Sequence, residues 1–279
     1  MRELDGCIDN PWRALQALTP ARVALGRCGV SLPTEVHLAF QLAHAQARDA
    51  VHLALDVPAL LRQCTSAGLA GTASALLLAS AALGRQDYLQ RPDLGRCLDG
   101  ASRQLLQQHL AVAPRGYDLA LVVGDGLSAL AITRQAPVFL ATLYPLLNAA
   151  GLTVAPLCVA TQARVALGDE IAVLLGARMV LVLIGERPGL SVPDSMGLYL
   201  TWEPQIGIAD ARRNCISNVR DGGLAPAAAA QQLFRLLCRG RELGLTGIGL
   251  KDDASVTLES TTRPNFLLDS SAPKAGLIL

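Results

Sequence analysis

Between Asp118 and Gly189 the chain repeats one pattern: a short apolar run, a glycine or proline break, then a stretch long enough for a helix. The runs are Leu119–Val123, residues 152–160 and residues 178–185, with 197–202 as a further candidate strand. Residues 136–151 and 167–177, which separate them, read as helices. Runs without a polar face suit strands buried on both sides, and helical links of about 10–15 residues are what parallel strands require. The pattern predicts an α/β fold, a helical N-terminal domain followed by a Rossmann-like parallel-sheet domain. Such sheets bind ligands at the carboxyl ends of their strands, near the point where strand order reverses. Here those ends read GDGLS (124–128), TQARVALGD (161–169) and GERPG (185–189).

The first hundred residues predict helices. Asp9 or Asn10 followed by Pro11 reads as a helix start, and Thr19 with Pro20 repeats the device, with Gly26 or Gly29 to end it. The clearest helix spans 33–55, capped at Thr34, with Val36, Phe40, Ala43, Ala47, Val51 and Ala54 as one apolar stripe. Pro58 restarts the chain and Pro92 breaks it again. The uncharged stretch 67–84 falls short of the roughly 20 strongly apolar residues a membrane span needs, and reads as packed core. A last helix fills 225–244, and beyond Lys251 the chain turns polar. The expected organisation is a helical domain over 1–100, a Rossmann-like domain over 101–250 and a polar tail over 251–279.

A net charge of +1 gives no electrostatic case for nucleic acid or an anionic membrane. Cys7, Cys28, Cys64, Cys97, Cys158, Cys215 and Cys238 lie far apart, which suits reduced thiols and argues against a disulfide framework or a structural zinc site. No basic-then-apolar leader pattern opens the chain, so a cytoplasmic protein is expected.

GDGLSA has the spacing of a dinucleotide fingerprint, with Gly124, Gly126 and Ala129 after a strand. The acidic residue expected about twenty positions on is missing, since 131–167 holds no Asp or Glu. Arg164 could still meet a 2′-phosphate, which keeps an NADP-dependent oxidoreductase open. The plainer alternative is a tight turn with Asp125 capping a helix. Glu186, directly after an apolar run, either closes a turn or faces a ligand. Cys215 lies among Asn214, Ser217 and Asn218, but all four histidines fall within the first 110 residues, so nothing supports a Cys–His dyad. No catalytic residue and no metal ligand set is assigned. The residues alone describe a ligand-binding α/β protein, either enzyme or non-catalytic sensor.

Longer strings go further. LTPARVALGRCGVSLPTEVHLAFQLAHAQARDAVH, YLQRPDLGRCL, TQARVALGDEIAVLLGARMVLVLIGERPGLSVPDSMGLYLTWEP and ARRNCISNVR resemble, in order, the small subunit (light chain) of ethanolamine ammonia-lyase. The resemblance implies an adenosylcobalamin-dependent lyase that converts ethanolamine to acetaldehyde and ammonia. It implies a large-subunit partner, a TIM barrel that binds the ethanolamine, with the cofactor between the chains and the assembly a trimer of paired heterodimers. The family's cobalamin contacts fall on Val165, Glu186 and Cys215. Glu186 would accept hydrogen bonds from corrin amides or a ribose hydroxyl, Val165 would give an apolar and backbone contact, and Cys215 a polarisable filler. No Asp-x-His-x-x-Gly string occurs, so the cofactor is expected base-on. Family members often carry a longer N-terminal extension that directs them to a bacterial microcompartment. Here about ten residues precede the shared region, which leaves microcompartment and plain cytoplasm both open.

Overall fold

Every residue of Leu119–Gly124 and Met179–Gly185 is buried, as runs without a polar face require. The computed structural model describes residues 7–251 apart from 9, 20, 70–71 and 113–115. Strands β1 (Cys7–Ile8) and β2 (Arg27–Cys28) form a small antiparallel pair. Six others, β3 (Leu76–Ala79), β4 (Leu119–Gly124), β5 (Cys158–Thr161), β6 (Met179–Gly185), β7 (Met196–Trp202) and β8 (Arg213–Val219), build the main sheet in the order β3-β5-β4-β6-β7-β8. The first four in that order run parallel, and β7 and β8 are added antiparallel. The helices are α1 (Thr34–His52), α2 (Val57–Ser66), α3 (Arg85–Gln90), α4 (Gly100–Val112), α5 (Ala129–Ala149), α6 (Leu167–Leu175) and α7 (Pro226–Leu243).

The α/β alternation is present, with several corrections. The sheet is mixed, because the short link 186–195 carries no helix and can only return the chain as a hairpin-like antiparallel neighbour. One edge strand, β3, comes from within the first hundred residues, inside the stretch 67–84; that stretch also holds a 3-10 turn at Thr72–Ser74. Asn10 caps a 3-10 helix, Pro11–Ala17, by accepting from the Trp12 N–H at 3.0 Å. The helix expected after Thr19 is absent; Ala24 and Gly26 take positive φ (52° and 75°) and the chain passes into β2. At α1 it is Pro33 that occupies the cap position, without a side-chain cap. Asp9, Pro20 and the tail beyond Lys251 lie outside the described residues.

Side-chain alternation divides the core between two faces of the sheet. Leu119, Leu121, Leu181, Leu183, Leu198 and Leu200 pack under α5, α7 and α2 through residues such as Phe139, Leu233 and Leu60. Ala120, Val122, Val180, Val182 and Ile184 pack under α6 and α4 through Leu167, Ile171 and Leu106. Helix α5, with Pro137 and Pro145 inside it, is the one described helix long and apolar enough to cross a membrane, and half of its apolar window is buried in this core.

Asp169 on α6 and Arg213 at the start of β8 form a bidentate pair, Nη1 to Oδ1 and Nη2 to Oδ2 at 2.6 Å each, with side chains 0% and 2% exposed. Thr201 Oγ1, Asp210 Oδ1 and the Ile208 carbonyl accept the remaining guanidinium donors at 3.1, 3.2 and 3.3 Å. Burial works against the Arg213 charge, but the hydrogen bonds and charge of Asp169 outweigh it and hold the guanidinium pKa above its ordinary value. Removing one partner strands the other. Arg213→Met is expected to cost about 3–5 kcal/mol in denaturant unfolding, while the double variant Asp169→Leu/Arg213→Met should recover most of that loss.

Candidate functional site

The carboxyl ends of β4, β5 and β6 lie side by side, with Gly124 paired to Ala160 on one flank and to Ile184 on the other. Glu186 is the first residue past β6, and its N–H still donates to the Ser195 carbonyl at 2.9 Å, which closes the link 186–195 into a loop. Its side chain turns back over the sheet. Oε2 accepts from Ser195 Oγ at 2.5 Å and from the Asn218 N–H at 3.3 Å. Oε1 lies above Gly197, where an added Cβ would stand 3.0 Å from it.

Alternation places Glu186 on the α6 side of the sheet, in line with Val182 and Ile184. Tyr199, opposite Val182, and Cys215, opposite Tyr199, are on the same side. Helix α6 covers β4 and β6 there and reaches Arg213 and Thr201 through Asp169, but it leaves the middle of β7 and β8 uncovered on this side. Tyr199 is half-buried, and Cys215 and Ser217 are exposed. The Tyr199 and Cys215 side chains are cross-strand neighbours on that face. Burial pushes the Tyr199 hydroxyl well above its ordinary range, and the nearby Cys215 and Glu186 add to that. Burial also raises the Cys215 thiol, against the neighbouring Tyr199 hydroxyl and with the Glu186 charge. Both groups are neutral at pH 7. Cys215 is therefore a polar, polarisable patch of surface and a poor nucleophile.

Val165 stands in the turn between β5 and α6, partly buried against the α6-side core, and its carbonyl accepts from the Gly168 N–H at 3.0 Å. The structure thus puts Val165, Glu186 and Cys215 on one side of the sheet. Glu186 and Cys215 meet through Tyr199, while Val165 stands across β4 at the carboxyl edge. Three neighbours of Glu186 went unassigned in the sequence, Ser195, Gly197 and Tyr199, while Asn218 was named there only as a polar neighbour of Cys215. Only Tyr199 carried a signal, as a polar-tipped residue inside the candidate strand 197–202.

GDGLS is filled by the protein itself. Gly126 takes φ +57°, and a Cβ there would fall 2.3 Å from the Gly185 carbonyl oxygen. That carbonyl accepts from the Leu127 N–H at 2.9 Å. Ser128, not Asp125, caps α5; its Oγ accepts from Ala131 N–H at 3.2 Å and donates to the Pro193 carbonyl at 2.7 Å. Asp125 instead accepts from the Ala163 N–H at 3.0 Å and lies 3.6 Å from Arg85. Arg164 folds onto the Tyr88 ring, 4.3 Å from its centroid, and donates to the Tyr88 carbonyl at 3.2 Å. A pyrophosphate would find this helix start occupied, and a 2′-phosphate would find Arg164 engaged elsewhere.

Residues 9–251 match the family model described as ethanolamine ammonia-lyase light chain. The chain is 56% identical over 260 residues to the ethanolamine ammonia-lyase small subunit of Ralstonia nicotianae, covering 93% of this chain and 95% of that one. To the small subunit of Pseudomonas syringae pv. tomato it is 53% identical over 272 residues, covering 94% of this chain and 93% of the other. The corresponding Pseudomonas putida protein is 53% identical over 265 residues, with 93% and 96% covered.

The raised thiol at Cys215 has a direct test. Its alkylation by iodoacetamide, followed by peptide mass spectrometry across pH, should show a midpoint above the ordinary thiol value of about 8.5. Tyr199→Phe removes a donor that favours the thiolate and should move the midpoint higher still; a midpoint below pH 8 would contradict the assignment.

Proposed function

The chain belongs to the ethanolamine ammonia-lyase light-chain family and is a subunit of an ammonia-lyase; from that premise we propose that it is the cofactor-holding half of the enzyme. In this reading Val165, Glu186 and Cys215 hold adenosylcobalamin against the large subunit, and the partner binds ethanolamine. The observation that carries it is the stretch of β7 and β8 at Tyr199, Cys215 and Ser217 that α6 leaves open, with a carboxylate oxygen set beside it over Gly197. A corrin is a broad, nearly planar ring fringed with amides. It fits a floor of half-buried Tyr199 and neutral Cys215, an acceptor at Glu186, and an apolar edge at Val165. Cβ-less Gly197 leaves the room in which Glu186 lies over that floor.

When bound, adenosylcobalamin supplies radical chemistry that no side chain of this subunit provides. The subunit's own part is to orient and to bind. Glu186 accepts from a corrin amide or ribose hydroxyl, Tyr199 and Cys215 stay uncharged against the ring, and none of them moves a proton. Base-on binding follows from the lack of any histidine beyond His109, so the sheet offers no imidazole to displace the cofactor's own base. We assign the Rossmann-like unit to 101–250 together with β3, and partner contact to the N-terminal segment. That segment exposes Trp12, Leu18, Val30, Leu32, Leu38 and Leu42, an apolar set that a partner would cover. The assembly in this reading is the trimer of paired heterodimers, in the cytoplasm or a bacterial microcompartment.

Reconstitution tests the proposal. The isolated chain should show no ethanolamine deamination with adenosylcobalamin, and activity should appear with the large subunit; turnover by the chain alone would overturn it. Glu186→Gln should weaken cobalamin affinity about tenfold while leaving subunit association intact.

A further inference from the structure

The Glu186 carboxylate is placed asymmetrically, and the asymmetry is built by residues with no other evident task. Both of its described donors, Ser195 Oγ at 2.5 Å and the Asn218 N–H at 3.3 Å, fall on Oε2. The Asn218 N–H reaches it because β8 bulges there. Met196 pairs with Val219 and Leu198 with Ile216, so Gly197 alone faces both Ser217 and Asn218. Asn218 takes φ +59° in the bulge, which turns its N–H out of the ladder. The bulge is pinned in turn: Arg220 Nε donates to Asn218 Oδ1 at 2.8 Å, Leu224 N–H donates to the Asn218 carbonyl at 2.9 Å, and a Cβ on Gly223 would fall 2.4 Å from that same oxygen.

With Oε2 engaged, Oε1 is the oxygen turned toward the bare sheet surface. It sits over Gly197, where a Cβ would be 3.0 Å from Oε1 and 3.2 Å from the Tyr199 ring. A carboxylate at a strand end has several rotamers of similar energy, and a charge-assisted hydrogen bond from a short, locally anchored hydroxyl selects among them. We propose that Ser195 is a positioning residue for cofactor binding: by occupying Oε2 together with the Asn218 N–H, it presents Oε1 as the acceptor for an N–H or O–H donor on the ligand. This rests on the reading of Glu186 as a cobalamin contact and adds which oxygen does the work and what orients it.

The test uses the complex of this chain with its large subunit and cyanocobalamin as the probe, its affinity read by equilibrium dialysis. Ser195→Ala should weaken binding about tenfold, and Ser195→Thr, which keeps the hydroxyl, should stay within about twofold of the parent. In a Glu186→Ala background Ser195→Ala should have no further effect, because a positioning residue acts only through the group it positions. An equal loss in both backgrounds would overturn the inference for Ser195 and leave Glu186 as a contact. Unchanged affinity in Glu186→Ala itself would overturn the cobalamin reading of Glu186, and the inference with it. If Ser195→Ala prevents assembly, Ser195→Cys takes its place as a near-isosteric poor donor; a tenfold loss supports the inference and unchanged affinity overturns it.

Discussion

The buried pair between Asp169 and Arg213 is the joint on which the site depends. Asp169 lies four residues after Val165 on α6, and Arg213 lies two before Cys215 on β8. The two elements are 44 residues apart in sequence, yet two short charge-assisted bonds fix both their distance and their relative orientation. Without it, β8 would be an edge strand held by its ladder to β7 and by packing against α7. With it, Cys215 stays opposite Tyr199, and the bulge at Asn218 arrives beside Glu186. A buried pair of this kind contributes little net stability over well-packed apolar residues, so its value here is geometric.

A second joint runs through Arg85. Its Nε donates to the Val51 carbonyl in the last turn of α1 at 2.6 Å, and its Nη1 donates to the Gly126 carbonyl after β4 at 2.8 Å. The guanidinium also stacks on Tyr88, which carries Arg164 beside it. The exposed N-terminal helix and the carboxyl edge of the sheet are therefore held by one side chain. A partner seated on α1 would bear on the same framework that orders the turns after β4 and β5.

Much of this was legible in the sequence, and the failures have causes. Strands β4 and β6 and helices α6 and α7 were read nearly at their true bounds, because a doubly buried strand or a Gly-capped helix states its own period. β8 was not read as a strand. Only Arg213, Ile216 and Val219 of its seven residues are buried, one of them charged and the last displaced by the bulge, so no alternation survives. β3 was hidden in an uncharged stretch long enough for a helix. Helix α5 begins earlier than its apolar composition suggested, because Ser128 starts it with a cap bond. The place of Glu186 at a strand end was legible from the apolar run before it. Ser195 was not, nor was the contact of Asn218 with Glu186, since what brings them there is a loop closure and a bulge, and neither leaves a spacing in the sequence.

The bulge at Asn218 also bears on what can pair with the outer edge of the sheet. β8 is the last strand of the sheet, and a straight outer strand offers its backbone to any passing chain as a template for further pairing. Here the outermost ladder is interrupted where the Asn218 amide turns to Glu186 and its carbonyl to Leu224. Growth of the sheet by another strand is checked at that end. The device that turns one amide toward Glu186 thus also keeps that end of the edge strand from serving as a template.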